Sequence, residues 1–110
     1  MKINKEYYDS GELRRVEYLD ADGESHRLDG PADVWYYKDG SVDSECWYVD
    51  GKLHRLDGPA VIYYRKNGSV MNECWYVDDQ QLKGGELEKH KKRMAVKKAL
   101  NNELDESDTA

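Results

Sequence analysis

The sequence predicts a mainly β protein with a C-terminal α-helix, built as an antiparallel meander of β-hairpins that form a curved sheet. Three observations predict it. First, His26-Arg27-Leu28-Asp29-Gly30-Pro31-Ala32 returns unchanged as His54-Arg55-Leu56-Asp57-Gly58-Pro59-Ala60, a period of 28 residues. A fixed period of this size marks a repeat architecture. Second, the text after each copy also returns. Gly40-Ser41-Val42 becomes Gly68-Ser69-Val70, and Glu45-Cys46-Trp47-Tyr48-Val49-Asp50 becomes Glu73-Cys74-Trp75-Tyr76-Val77-Asp78. Third, beyond Gly84-Gly85 the aromatic-rich runs give way to Glu, Leu, Lys, Arg, Met and Ala, which are good helix formers.

Residues 1–83 form the hairpin array, in units of about 1–29, 30–57 and 58–83. The first unit is degenerate. Its Tyr7-Tyr8-Asp9-Ser10-Gly11 corresponds to Tyr36-Tyr37-Lys38-Asp39-Gly40, and Leu13, Val16 and Tyr18 supply its apolar positions. It lacks the Trp and the Gly-Pro opening, as a terminal capping repeat does. Each later unit holds two extended runs, Ala32 to Tyr37 then Val42 to Val49, or Ala60 to Arg65 then Val70 to Val77. Asp39-Gly40 and Asn67-Gly68 join the runs and supply the positive φ that tight hairpin turns demand. Asp50-Gly51 turns the chain again. Two strands per unit give a meander of about five or six strands. Residues 84–110 are a Gly-Gly hinge, a helix from Glu86 to Leu104 and an acidic tail, Asp105 to Ala110, expected to fray. The helix has a narrow apolar stripe of Leu87, Met94, Ala95, Val96, Ala99, Leu100 and Leu104.

Alternation along a strand assigns the faces. Val34 and Tyr36 point one way, and Trp35 and Tyr37 the other. On the following strand Glu45, Trp47 and Val49 share one side and Cys46 and Tyr48 the opposite one. Neither face is purely polar, so the sheet curls, takes the helix as a cover, or meets a partner. Cys46 and Cys74 hold equivalent places two strands apart, about 9–10 Å, too far for a disulfide. They read as reduced packing residues.

The composition excludes some classes of function. A net charge of −6 argues against a protein that simply coats nucleic acid. No apolar run approaches the roughly 20 residues of a bilayer span, and the N-terminal residues lack the apolar core of a signal peptide. These features predict a cytoplasmic protein without membrane insertion. Apolar content of 38% is low, and twelve aromatics, nine Tyr and three Trp with no Phe, suit a thin sheet with two half-exposed faces.

The unit Gly-Pro-Ala, then Tyr, Asp/Asn-Gly-Ser, Glu-x-Trp-Tyr-Val-Asp-Gly-Lys-Leu-His-Arg resembles the MORN-like repeats. It is similar to a longer variant found in bacterial antitoxin-like proteins and in phage and giant-virus proteins. The likeness covers residues 30–78 well and 7–29 loosely, and leaves out the tail. It implies hairpin arrays that bind proteins or lipids, and a phage-encoded inhibitor of a host factor or defence system, acting in the host cytoplasm.

Candidate chemistry is sparse. His26 and His54 stand about 9–10 Å apart, too far to share one metal ion; with Arg27-Asp29 and Arg55-Asp57 they read as turn scaffold. Glu45 and Glu73 share a face at the same spacing, yet their equivalence gives no acid–base asymmetry. No nucleophile elbow, P-loop, dinucleotide fingerprint or Cys-x-x-Cys occurs. The reading is a non-enzymatic protein–protein interaction module without metal or cofactor. Its partner surface is the aromatic and acidic face of Tyr36, Glu45, Trp47, Tyr64, Glu73 and Trp75, since Trp and Tyr are common interface anchors. An alternative is nucleic-acid binding through Lys89, Lys92, Arg93 and Lys97 on the helix; another is an acidic mimic that occupies a nucleic-acid-handling protein. Open sheet edges predict a homodimer.

Overall fold

The structure is a computed structural model that describes the backbone of residues 1–109 and the side chains of residues 1–100. Nine strands precede one helix. They are β1 (Lys2–Tyr7), β2 (Leu13–Leu19), β3 (Asp33–Tyr36), β4 (Val42–Cys46), β5 (Tyr48–Val49), β6 (Lys52–Leu53), β7 (Val61–Tyr64), β8 (Val70–Val77) and β9 (Gln80–Leu82), then α1 (Gly84–Thr109). A seven-stranded sheet runs β1-β2-β3-β4-β7-β8-β9, all antiparallel, and β5-β6 form a separate hairpin.

The strand count exceeds the five or six expected, for a local reason. The second long strand of each unit serves two partners. Val70 to Cys74 of β8 pair with β7, while Trp75 to Val77 pair with β9. One unit earlier the same path breaks at Trp47, so β4 pairs with β3 (and, on its other side, with β7) and β5 with β6. The short hairpins turn at Asp50-Gly51 (φ 52° and 77°) and Asp78-Asp79 (φ 48° and 66°). A two-residue turn that follows the strand twist needs positive φ at both positions, and Asp tolerates that conformation.

Each long hairpin carries a register shift at one place, between Glu6 and Tyr7, Trp35 and Tyr36, or Tyr63 and Tyr64. Two tyrosines lock the hairpins side by side. Tyr8 Oη donates to Tyr36 O and Tyr37 Oη to Tyr64 O, both at 2.6 Å. The core is thin: Val16, Ala32, Val34, Ala60, Val61, Ile62 and Trp75 are buried, and no large side chain among the described residues is wholly enclosed. On the sheet face opposite Val34, Arg15 binds Asp33 through Nε and Nη2, Glu6 through Nη1 and Glu17 through Nη2, at 2.9–3.0 Å. These bonds, the Asp33 pair first, hold its guanidinium more firmly charged than usual. Three of the protein's acids are thereby neutralised in part by one arginine.

Among the described residues, the helix rests on the sheet through its first half. Leu87, His90, Lys91 and Met94 are half-buried, whereas Ala95, Val96, Ala99 and Leu100 are exposed. Positions 87, 90, 91 and 94 make a single stripe at helical spacing, so the packed face differs from the apolar set expected. Helical backbone continues to Thr109, through most of the segment expected to fray; the Leu104 side chain and Ala110 lie outside the described residues. Among the described residues, no helix is long and apolar enough to cross a membrane.

Candidate functional site

The two His-Arg-Leu-Asp-Gly-Pro-Ala segments fold back over the face that carries Tyr18, Trp47 and Trp75, and each side chain in the motif has a place. His26 Nδ1 accepts the backbone N–H of Asp50 at 3.0 Å, and His54 Nδ1 accepts that of Asp78 at 3.1 Å. Each histidine thus straps the short hairpin of the following unit. Arg27 lays its guanidinium over the Tyr18 ring at 4.2 Å, and Arg55 lies over Trp47 at 3.9 Å. Arg Nε meets Asp29 Oδ1 at 3.1 Å or Asp57 Oδ1 at 3.0 Å, and Nη1 donates to Pro31 O or Pro59 O. The glycine leaves room for the guanidinium: a Cβ at Gly58 would stand 2.6 Å from Arg55 Cζ, and one at Gly30 2.9 Å from Arg27 Cζ. Leu28 and Leu56 alone have no place inside the fold; they are 76% and 57% exposed.

Clefts alternate with these leucines. Tyr18, His26 and Arg27 line a first cleft of about 380 Å³ that ends at Leu28. Between Leu28 and Leu56 a groove of about 460 Å³ has Trp47 and Val49 on its floor and Arg27, Asp29, Arg55 and Asp57 along its sides. Beyond Leu56 a cleft of about 490 Å³ lies between Val77, Leu82 and the helix, whose Lys89, His90 and Arg93 form its far wall. The whole is a trough with apolar ridges, acidic toward the corners and basic toward the helix.

The helix enters where a third corner would stand. Lys83 follows Arg55 by 28 residues, but Gly84-Gly85 replaces Leu-Asp and no Gly-Pro follows. The helix covers Trp75 instead, with the His90 ring edge-on at 5.6 Å and Lys91 Nζ at 5.5 Å. His90 Nε2 also meets Leu56 O at 2.7 Å.

Cross-strand register brings all six residues of the expected partner surface to one face. Val34, Glu45, Ile62 and Glu73 lie in one row across β3, β4, β7 and β8, and alternation adds Tyr36, Trp47, Tyr64 and Trp75. That face is less open than the sequence indicates. Trp75 is only 6% exposed, Trp47 is half-buried beneath Arg55, and Tyr64 Oη donates to Glu45 Oε1 at 2.5 Å. Glu73 is exposed and Tyr36 half-buried. The indole N–H groups of Trp47 and Trp75 are buried without a protein acceptor among the described residues. Burial, with the bond to Glu45 second, pushes the Tyr64 phenol up to about 12. Sequence reasoning passed over Leu28 and Leu56; the available signal was a leucine inside an otherwise polar corner, twice.

Lys89, Lys92, Arg93 and Lys97 are all exposed on the helix, and none has a carboxylate within 4.0 Å among the described residues. Lys89 and Arg93 wall the far cleft; Lys97 faces Leu56 and Asp57 across a third hollow, and Lys92 lines none of these. Asp20, His26 and Asp50 bring three donor atoms within 4.8 Å. Two of these residues are already engaged, since Asp20 Oδ1 accepts the amides of Asp22 and Glu24 and His26 Nδ1 that of Asp50, and Asp50 Oδ1 stands 3.3 Å from the same nitrogen. Cys46 and Cys74 are free thiols, and burial, then the charge of Asp33, pushes Cys46 up to about 11. A raised value disfavours the thiolate form, in keeping with a cysteine half-buried in the sheet. Comparison with family models, curated proteins and solved structures finds no match for this chain.

Proposed function

We propose that this chain is a non-enzymatic protein-binding module whose contact surface is the trough along the corners. The observation that carries this reading is the pair of exposed leucines, Leu28 and Leu56, standing at equivalent places beside a groove floored by Trp47. Each leucine is the exposed apolar side chain of its motif, while the other six motif residues are engaged within the fold. Neighbouring units repeat every two strands, so the ridges stand about 9–10 Å apart. A partner segment with apolar side chains at that interval fits between them. Carboxylates on the same segment would meet Lys89 and Arg93 at the helix end. Truncating a central apolar anchor costs about 2 kcal/mol or more in a typical interface. The test is affinity capture with the full chain and an L28S/L56S variant. Loss of captured proteins with an unchanged melting profile supports the reading; a folded double variant that keeps them all overturns it.

A second reading has its own observation, the exposed helix cations Lys89, Lys92, Arg93 and Lys97, with Lys98 beside them, none of which has a carboxylate within 4.0 Å among the described residues. Nucleic-acid binding through Lys89, Lys92, Arg93 and Lys97 would weaken with salt at a slope of up to about −3.6 in log–log form. Absence of binding to both DNA and RNA at low salt removes it.

A further inference from the structure

Besides the short β9, which pairs with β8 alone, two stretches of the seven-stranded sheet leave an edge open among the described residues. β1 pairs with β2 alone, and the Val70–Cys74 part of β8 pairs with β7 alone. Exposed large apolar side chains gather on these two edges: Ile3 and Tyr7 on β1, Val70 and Met71 on β8. The Glu73 N–H donates to no strand and takes Asn72 Oδ1 instead, at 3.0 Å.

The two edges are complementary in kind. Within the chain, the closing strand of one unit pairs with the opening strand of the next, twice, as β2 with β3 and β4 with β7. In β2–β3, Val16 faces Val34; in β4–β7, Glu45 faces Ile62. Val16, Glu45 and Glu73 are equivalent, because they face Lys5, Val34 and Ile62 inside their own hairpins. Among the described residues β8 is therefore a closing strand with no successor paired to it, and β1 an opening strand with no predecessor paired to it. Carried from one copy to the next, this register sets Glu73 opposite Lys5, Asn72 opposite Glu6 and Cys74 opposite Asn4. Lys5 and Glu73 have no ion-pair partner among the described residues, and opposite charges directly across a strand pair are favourable. One position further, Tyr18 and Trp47 donate their N–H groups to Ala32 O and Ala60 O. Ile3 of the next copy stands where those alanines stand, beside Trp75.

We propose that copies of this chain associate head to tail, with β8 of one copy pairing antiparallel with β1 of the next, so that the sheet continues across the boundary in its internal register. The interface is heterologous, and its products are rings or open chains, since no two-fold axis closes it. It is independent of the trough and of any protein that binds there.

The test is sedimentation and light scattering of the full chain over a concentration series, with K5E, E73K and K5E/E73K variants checked for fold by circular dichroism. Both single variants lower the association constant, by roughly tenfold each if opposed like charges replace the pair. An equimolar mixture of K5E and E73K associates as the original chain does, because each boundary again holds one Lys and one Glu. The double variant associates by itself for the same reason. A chain that stays monomeric to the limit of solubility overturns the proposal. So does a two-fold dimer that responds to K5E alone, through paired β1 edges, or to E73K alone, through paired β8 edges.

Discussion

Placing a methyl group at Gly58 tests whether the corner is held by the arginine lying on the tryptophan ring. The added Cβ falls 2.6 Å from Arg55 Cζ, 2.9 Å from Nε and 3.0 Å from Nη1, closer than any such pair sits at rest. The guanidinium is the free end of a long side chain and gives way before the backbone does. It then leaves the Trp47 ring, a cation–π contact worth about 1–2 kcal/mol when partly desolvated. It also leaves the Pro59 carbonyl, about 1 kcal/mol net. The ion pair to Asp57 adds little, because that carboxylate is 83% exposed. Against this loss, Gly→Ala removes freedom from the unfolded chain and returns about 0.4–1 kcal/mol. The net cost of G58A is about 1–2.6 kcal/mol, read as a lower denaturant midpoint with unchanged slope. The decisive comparison is a double-mutant cycle. In an R55A background there is no guanidinium to displace, so G58A becomes neutral or slightly stabilising. An equal cost in both backgrounds would refute the account of Gly58 as room for Arg55.

Other expectations follow from single groups. With C74S removing the second thiol, Cys46 reacts with a thiol reagent at pH 8 at least about a hundredfold slower in the folded than in the unfolded chain, because its thiol is pushed up to about 11 against an ordinary value of about 8.5; equal rates would mean that the site is open. Tyr64, pushed up to about 12, binds its proton more tightly folded than unfolded, where the value is about 10. Its contribution to stability is whole below about pH 10 and lost as pH rises toward 12. Y64F therefore flattens the alkaline loss in that window, measured by denaturant midpoints across it, and an unchanged slope contradicts the assignment. H26A and H54A each cost about 1 kcal/mol and speed hydrogen exchange at the amides of Asp50 and Asp78 respectively; unaltered exchange at those two positions would show that the straps carry no load.

The fold was legible where the chain's local chemistry decides it. Asp39-Gly40 and Asn67-Gly68 announce hairpins because few residues accept positive φ, and alternation sets the faces because a strand has a period of two. That is why Tyr36, Glu45, Trp47, Tyr64, Glu73 and Trp75 reached one face as expected. What alternation does not contain is the covering of that face. Arg55 lies six residues past the end of β5, and its guanidinium is held over Trp47 where Gly58 leaves it room and the Pro59 carbonyl accepts from it. The motif therefore reads as a corner in sequence and acts as a clamp in space. Leu28 and Leu56 stayed hidden for a related reason: a leucine in a repeated motif is ordinarily a core residue, and only the direction of the corner turns these two outward.

The end of the array was the least legible part, because the helix abandons the period. Arg27 covers the ring nine residues before it and Arg55 the ring eight residues before it, so the repeat period places the third cover at Lys83. Two glycines in place of Leu-Asp remove the bend that would carry Lys83 onto Trp75, and Gly84, at φ 54°, starts a helix instead. His90 and Lys91 then reach the ring by helical geometry, at positions no 28-residue register contains. This substitution closes the ladder of covered rings but does not close the ladder of strands. The helix lies against Trp75 and Leu56, on the face of the sheet, while the outward edge of Val70–Cys74 remains unpaired beside it. A chain with two superposed periodicities can end one and leave the other running, and the asymmetry between its capped corners and its open edge is the observation on which the proposed head-to-tail association rests.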